Sequence, residues 1–91
     1  GGEPFDLRGL VMAAAAVARS AAAGRGTAIS VAIDEGVPER VRGDADALRR
    51  VVLALLAEAA APGGPVALAL RGAGEGGVLA LTVAGPEEAF A

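Results

Sequence analysis

A chain of 91 residues holds one domain at most, and a small one. Eight Arg and no Lys stand against eleven acidic residues for a net charge of −3, which argues against nucleic acid or an anionic membrane surface as the main partner. With no His and no Cys the chain has no zinc finger, no Ser-His-Asp triad and no phosphoacceptor His; with no Lys it has no P-loop. The absence of a disulfide framework fits an intracellular setting.

The opening Gly1-Gly2, without an initiator Met, reads as an excised piece of a longer protein. Asp6 is placed to cap a helix beginning at Leu7. Leu7, Leu10, Val11, Ala14, Val17, Ala18 and Ala21 recur at three- and four-residue spacing, which predicts one apolar stripe. The stripe narrows to Ala, so its far end must pack closely, and Gly24 and Gly26 end it. The nearly apolar run from Gly9 to Ala18 is about ten residues, half of what a membrane span needs.

Thr27 to Ile33 alternates, with Ile29, Val31 and Ile33 on one face, and predicts a strand. Residues 34–38 follow as a polar turn, and Arg40-Val41-Arg42 as a short edge strand. Gly43-Asp44 supplies a turn and cap for a second helix with Leu48, Val51, Val52, Leu55, Leu56 and Ala59 on its apolar side, ended by Pro62-Gly63-Gly64. Pro65–Arg71 and Val78–Val83 read as two strands joined by a Gly-rich hairpin loop. That loop leads into a strand and not into a helix N-terminus, so it lacks the geometry of a phosphate loop. The order predicts an α+β fold for the single domain 1–91: a two-layer sandwich, a mixed β-sheet with two amphipathic helices on one face.

Phe5-Asp6-Leu7-Arg8, Val37-Pro38 through Gly43-Asp44, and Leu48-Arg49 through Ala59 together resemble the first part of the ATP-binding catalytic domain of sensor histidine kinases, in the ATPase superfamily shared with gyrase and MutL. The likeness covers nearly the whole chain and implies a reduced version of that fold, lacking the lid, third helix and last strands. The family's N-x-x-x-N-A motif, whose latter Asn holds magnesium on the nucleotide phosphates, falls on Ala54 and Glu58, with Ala59 keeping the family's Ala. Its D-x-G-x-G motif, whose Asp binds the adenine amino group, falls on Gly85, Glu87 and Ala89.

Ala54 offers no metal ligand, and Gly85 no acceptor for the adenine N–H. Loss of such a partner costs on the order of 1–3 kcal/mol and base selectivity. Glu58 is the one candidate replacement for a metal ligand, and is more simply read as a helix-end carboxylate reaching water. Arg40, Arg42, Arg49 and Arg50 are interleaved with Asp34, Glu35, Glu39, Asp44 and Asp46, which makes a mixed-charge surface and not a basic patch.

The resemblance therefore implies a degenerate domain of a cytoplasmic bacterial two-component signalling protein, with no chemistry of its own and no cofactor. It would be a scaffold or docking module for phosphotransfer from a helical dimerisation domain to a response regulator. The parent protein would be a histidine kinase or a His phosphotransferase. An alternative is a working ATP/Mg2+-binding kinase domain completed by segments outside this sequence. A third reading is an unrelated α+β interaction domain. Without a third helix part of the sheet face should stand exposed, and self-association or a binding helix is expected over it.

Overall fold

The computed structural model describes residues 2–24, 26–72 and 79–85. The elements run β1 (Pro4–Asp6), α1 (Leu7–Ala21), β2 (Ile29–Ile33), β3 (Arg40–Arg42), α2 (Ala45–Ala60), β4 (Val66–Gly72) and β5 (Leu79–Ala84). β2, β4 and β5 form a mixed sheet in that order, β2 parallel to β4 and β5 antiparallel to it. The fold is α+β, with both helices packed on one face of this sheet and on each other. The Gly-rich loop of the β4–β5 hairpin and the acidic stretch that holds Glu87 and Ala89 lie outside the described residues.

β1 was not foreseen. It pairs antiparallel with β3, Phe5 opposite Val41, as a separate two-stranded sheet. Three residues, one of them Pro, carry no readable period, and only the partner strand makes the segment extended. Pro4 suits such a short edge.

α1 starts where the Asp6 carboxylate accepts the Gly9 N–H at 3.0 Å and ends before Gly24 and Gly26, which have φ of +86° and +71° that a side chain would resist. Its buried residues are Leu7, Val11, Ala14 and Ala15. Val17, expected in the stripe, is 57% exposed. The Ala residues let the helix approach closely along a narrow line, and Val17 falls on its flank.

Two arginines of α1 reach backbone carbonyls beside it. Arg8 donates through Nη2 to Val37 O at 2.9 Å and, at 3.4–3.5 Å, to Glu35 O and Asp34 O. This closes the turn of residues 34–38 over Val37, which is 2% exposed and part of the core, although the segment reads as polar. Arg19 donates from Nε and Nη2 to Ile29 O at 3.0 and 2.8 Å.

The core joins Leu7, Val11, Val52 and Leu56 from the helices to Ile29, Val66, Leu68 and Leu70 from the sheet. Leu79, Leu81 and Val83 of β5 pack against it half-buried. On the sheet's opposite face Ser30, Ala32, Ala80 and Thr82 are exposed.

Candidate functional site

α2 carries the first pair of positions singled out by the resemblance. Asp44 fixes its start by accepting the Ala47 N–H at 3.0 Å, and Val52, Leu56 and Ala60 seat it on the core. Ala54 and Glu58, one turn apart, stand together on the exposed side. Val51 and Leu55, expected in the buried stripe, accompany them at 53% and 37% exposure. The apolar arc of α2 is wider than the line of contact, and the helix settles on Val52 and Leu56, turning Val51 and Leu55 outward.

Glu58 lies among these exposed side chains and not at the edge of a buried one. Among the described residues the only ion pair is Arg49–Asp46 at 3.1 Å, and Glu58 takes no part in it. Gly85 follows β5 directly and is half-buried. It has no side chain to accept a hydrogen bond from a base. Glu87 and Ala89 fall outside the described residues.

Sequence reasoning missed a concave feature elsewhere on the molecule. A cleft of about 650 Å³ opens where the β1/β3 pair meets the start of α2 and the facing ends of β4 and β5. Its walls are Phe5, Val41, Leu48, Leu70, Leu79 and Leu81, with Arg42 and Asp44 at the rim. Arg42 Nη1 donates to Gly2 O at 3.0 Å, and the Asp44 carboxylate is engaged in the cap, so both rim charges have local partners. The volume is that of a small-molecule site, but convergent free polar groups, which give such sites specificity, are not among the lining residues.

The cleft and the Gly85 position are separate. Ala84 pairs with Ala67, while Leu79, at the cleft, pairs with Gly72, so the two ends of β5 lie roughly 17 Å apart. The cleft does adjoin the exposed side of α2, because Leu48 lines it and Leu55 follows Leu48 by two turns.

The remaining arginines on α2 are locally engaged too: Arg49 on Asp46, and Arg50 through Nε on Asp46 O at 3.4 Å. Among the described residues no three potential metal-binding side chains come together, and no helix is long and apolar enough to cross a membrane. No protein-family model matches the sequence, and no curated protein matches it significantly.

Proposed function

We propose that the chain is a histidine-kinase-type ATPase domain that has kept its fold and lost its nucleotide site. In this reading it serves a cytoplasmic two-component protein as a non-catalytic docking scaffold between a helical phosphotransfer domain and a response regulator. Support for the first half is chemical: Ala54 and Gly85 provide no side-chain ligand for metal or adenine, and Glu58 would set a carboxylate beside a triphosphate.

The observation that carries the docking half is the exposed side of α2. Val51 and Leu55 present large apolar side chains there, flanked by the small Ala54. Exposed apolar surface of this kind favours a protein partner, and a helix can lay its own apolar face along it.

The test is calorimetric titration with ADP and ATP in the presence of magnesium, up to about 1 mM nucleotide, where binding corresponds to about 4 kcal/mol. The expected result is no binding heat and no thermal stabilisation. A micromolar dissociation constant, lost in Glu58→Ala, would overturn the reading in favour of a divergent but working nucleotide site.

A further inference from the structure

Two arginines of α1 bracket the outer edge of β2. Arg8 and Arg19 are eleven residues apart, about 16 Å along a helix and on nearly the same side of it. Ile29 to Asp34 covers about the same length along a strand. α1 runs antiparallel to β2, so Arg19 reaches Ile29 O at one end, with bonds of 3.0 and 2.8 Å. Arg8 reaches the carbonyls of Asp34, Glu35 and Val37 just past the other end.

The hydrogen-bond pattern identifies the Ile29 carbonyl as an edge group. Val66 N–H donates to Ala28 O, and Asp34 N–H to Leu70 O. In a parallel ladder a residue turns both backbone groups to one neighbour. Ala28, Ser30, Ala32 and Asp34 therefore face β4, while Ile29, Val31 and Ile33 aim N–H and C=O away from the sheet. Arg19 thus takes the first outward carbonyl of the edge. β2 lies in mid-chain, with residues 26–28 and 34–38 described on either side of it, and among the described residues no strand pairs beyond it.

An edge strand ordinarily carries its own guard, a charge, a Pro or a bulge. Thr27–Ile33 is a run of seven residues with no charge, no Pro and no Gly, and its register with β4 is unbroken. Alternating Ile and Val in such a run pair readily with other extended chains. The nearest charges in sequence, Arg25 and Asp34, lie beyond its ends.

We propose that Arg19 guards the β2 edge against strand addition. An incoming strand would have to displace a charged donor, bonded twice, before it could pair at Ile29. While Arg19 stays, only Val31 and Ile33 offer outward groups, and a short edge is one of the ways a sheet resists addition. Fastening α1 to the sheet predicts only lower stability when Arg19 is removed. Guarding the edge predicts new association through β2 as well. The role depends on α1 and β2 alone, and stands whether or not the chain is of kinase type or docks through α2.

Arg19→Met keeps much of the apolar stem and removes the donors. In sedimentation equilibrium of the 91-residue chain, the concentration at which half of it is associated should fall about tenfold in this variant. Arg19→Lys, with an ammonium in place of the fork, should lie between the two. In the associated variant the outward Val31 N–H enters a ladder, and should exchange with deuterium about tenfold more slowly than in the unaltered chain. Ala32 is exposed, and adding Ala32→Lys to Arg19→Met puts a charge on the strand. It should return association to within about threefold of the unaltered chain's without restoring the urea midpoint. Val52→Ala, which weakens the anchor of α2 and leaves β2 alone, should destabilise without protecting Val31, and circular dichroism shows that each variant is folded. An Arg19→Met chain that associates no more than the unaltered one, association that leaves Val31 unprotected or that Ala32→Lys does not reverse, or equal protection of Val31 in Val52→Ala would each overturn the proposal.

Discussion

The two helices are held by different means. α1 offers the core Leu7 and Val11 and then mostly Ala, and it supplements that thin contact with Arg8 and Arg19, each hydrogen-bonded to carbonyls of the strands and turn beside it. α2 makes no such contact: its Arg49 and Arg50 bond only to Asp46 within the same helix, and its anchors are Val52 and Leu56, both 0% exposed. A helix of small residues can lie close to a sheet but buries little area per turn, so polar hooks add what volume does not. A helix with branched residues needs no hooks, and its remaining surface is free to face a partner.

The largest effect should come from the apolar anchor of α2. Leu56→Ala removes a fully buried side chain and should cost about 2–5 kcal/mol, a large share of the roughly 5–13 kcal/mol expected for a domain of this length. Leu55, its neighbour in sequence, is 37% exposed, and Leu55→Ala should cost under about 1 kcal/mol. Urea denaturation midpoints compare the two. Equal losses would mean that α2 is rotated from the orientation described and would remove the exposed face on which docking is proposed.

The hooks of α1 come next. Arg8→Met keeps much of the apolar stem and removes the donor shared by the Val37, Glu35 and Asp34 carbonyls. A hydrogen bond from a charged donor contributes about 1.5–3 kcal/mol, and with one short contact and two long ones the low end is expected. Its acceptors are neutral carbonyls, so the loss should be nearly the same in low and high salt. The Arg49–Asp46 pair behaves differently: its side chains are 56% and 78% exposed, and Arg49→Ala should change stability by less than about 1 kcal/mol, an effect that fades with salt. A salt-dependent Arg8 would mean that its real partner is a carboxylate.

The contrast between hooks and anchors also marks what was legible in the sequence. Periodicity located both helices and the three strands of the main sheet, because each buries one face and the pattern is repeated often enough to read. Asp6 and Asp44 were legible as caps, since that role needs only a local carboxylate and a free N–H. β1 was not, because three residues become a strand only through β3, more than thirty residues away. Val37 was not, because its burial depends on Arg8 closing the turn above it. Val51 and Leu55 satisfy the same helical spacing as Val52 and Leu56, and only the packing of α2 on α1 and the sheet decides which pair is covered. At the site, the common face of Ala54 and Glu58 follows from a spacing of four. The cleft joins Phe5 and Val41 to Leu70 and Leu81, positions that no local pattern connects.

The smallest effect separates the two caps. In α2 the N–H bonded to the capping carboxylate belongs to Ala47, whose Cβ coexists with a 3.0 Å hydrogen bond to Asp44. In α1 the same position is Gly9, and a Cβ built there would run into the Asp6 carboxylate. Gly9→Ala ordinarily gains about 0.5–1 kcal/mol in a helix. Here Asp6 must move, at the expense of some of a cap that contributes about 1 kcal/mol, and the two terms should cancel to within about 0.5 kcal/mol. In an Asp6→Ala background the obstacle is gone and Gly9→Ala should recover its full gain. The difference between the two backgrounds is the coupling between cap and Cβ, read as a double-mutant cycle from thermal or urea unfolding. If Gly9→Ala stabilises the unaltered chain by as much as the Asp6→Ala variant, Asp6 adopts the Asp44 arrangement at no cost, and the two caps are equivalent despite their different third residues.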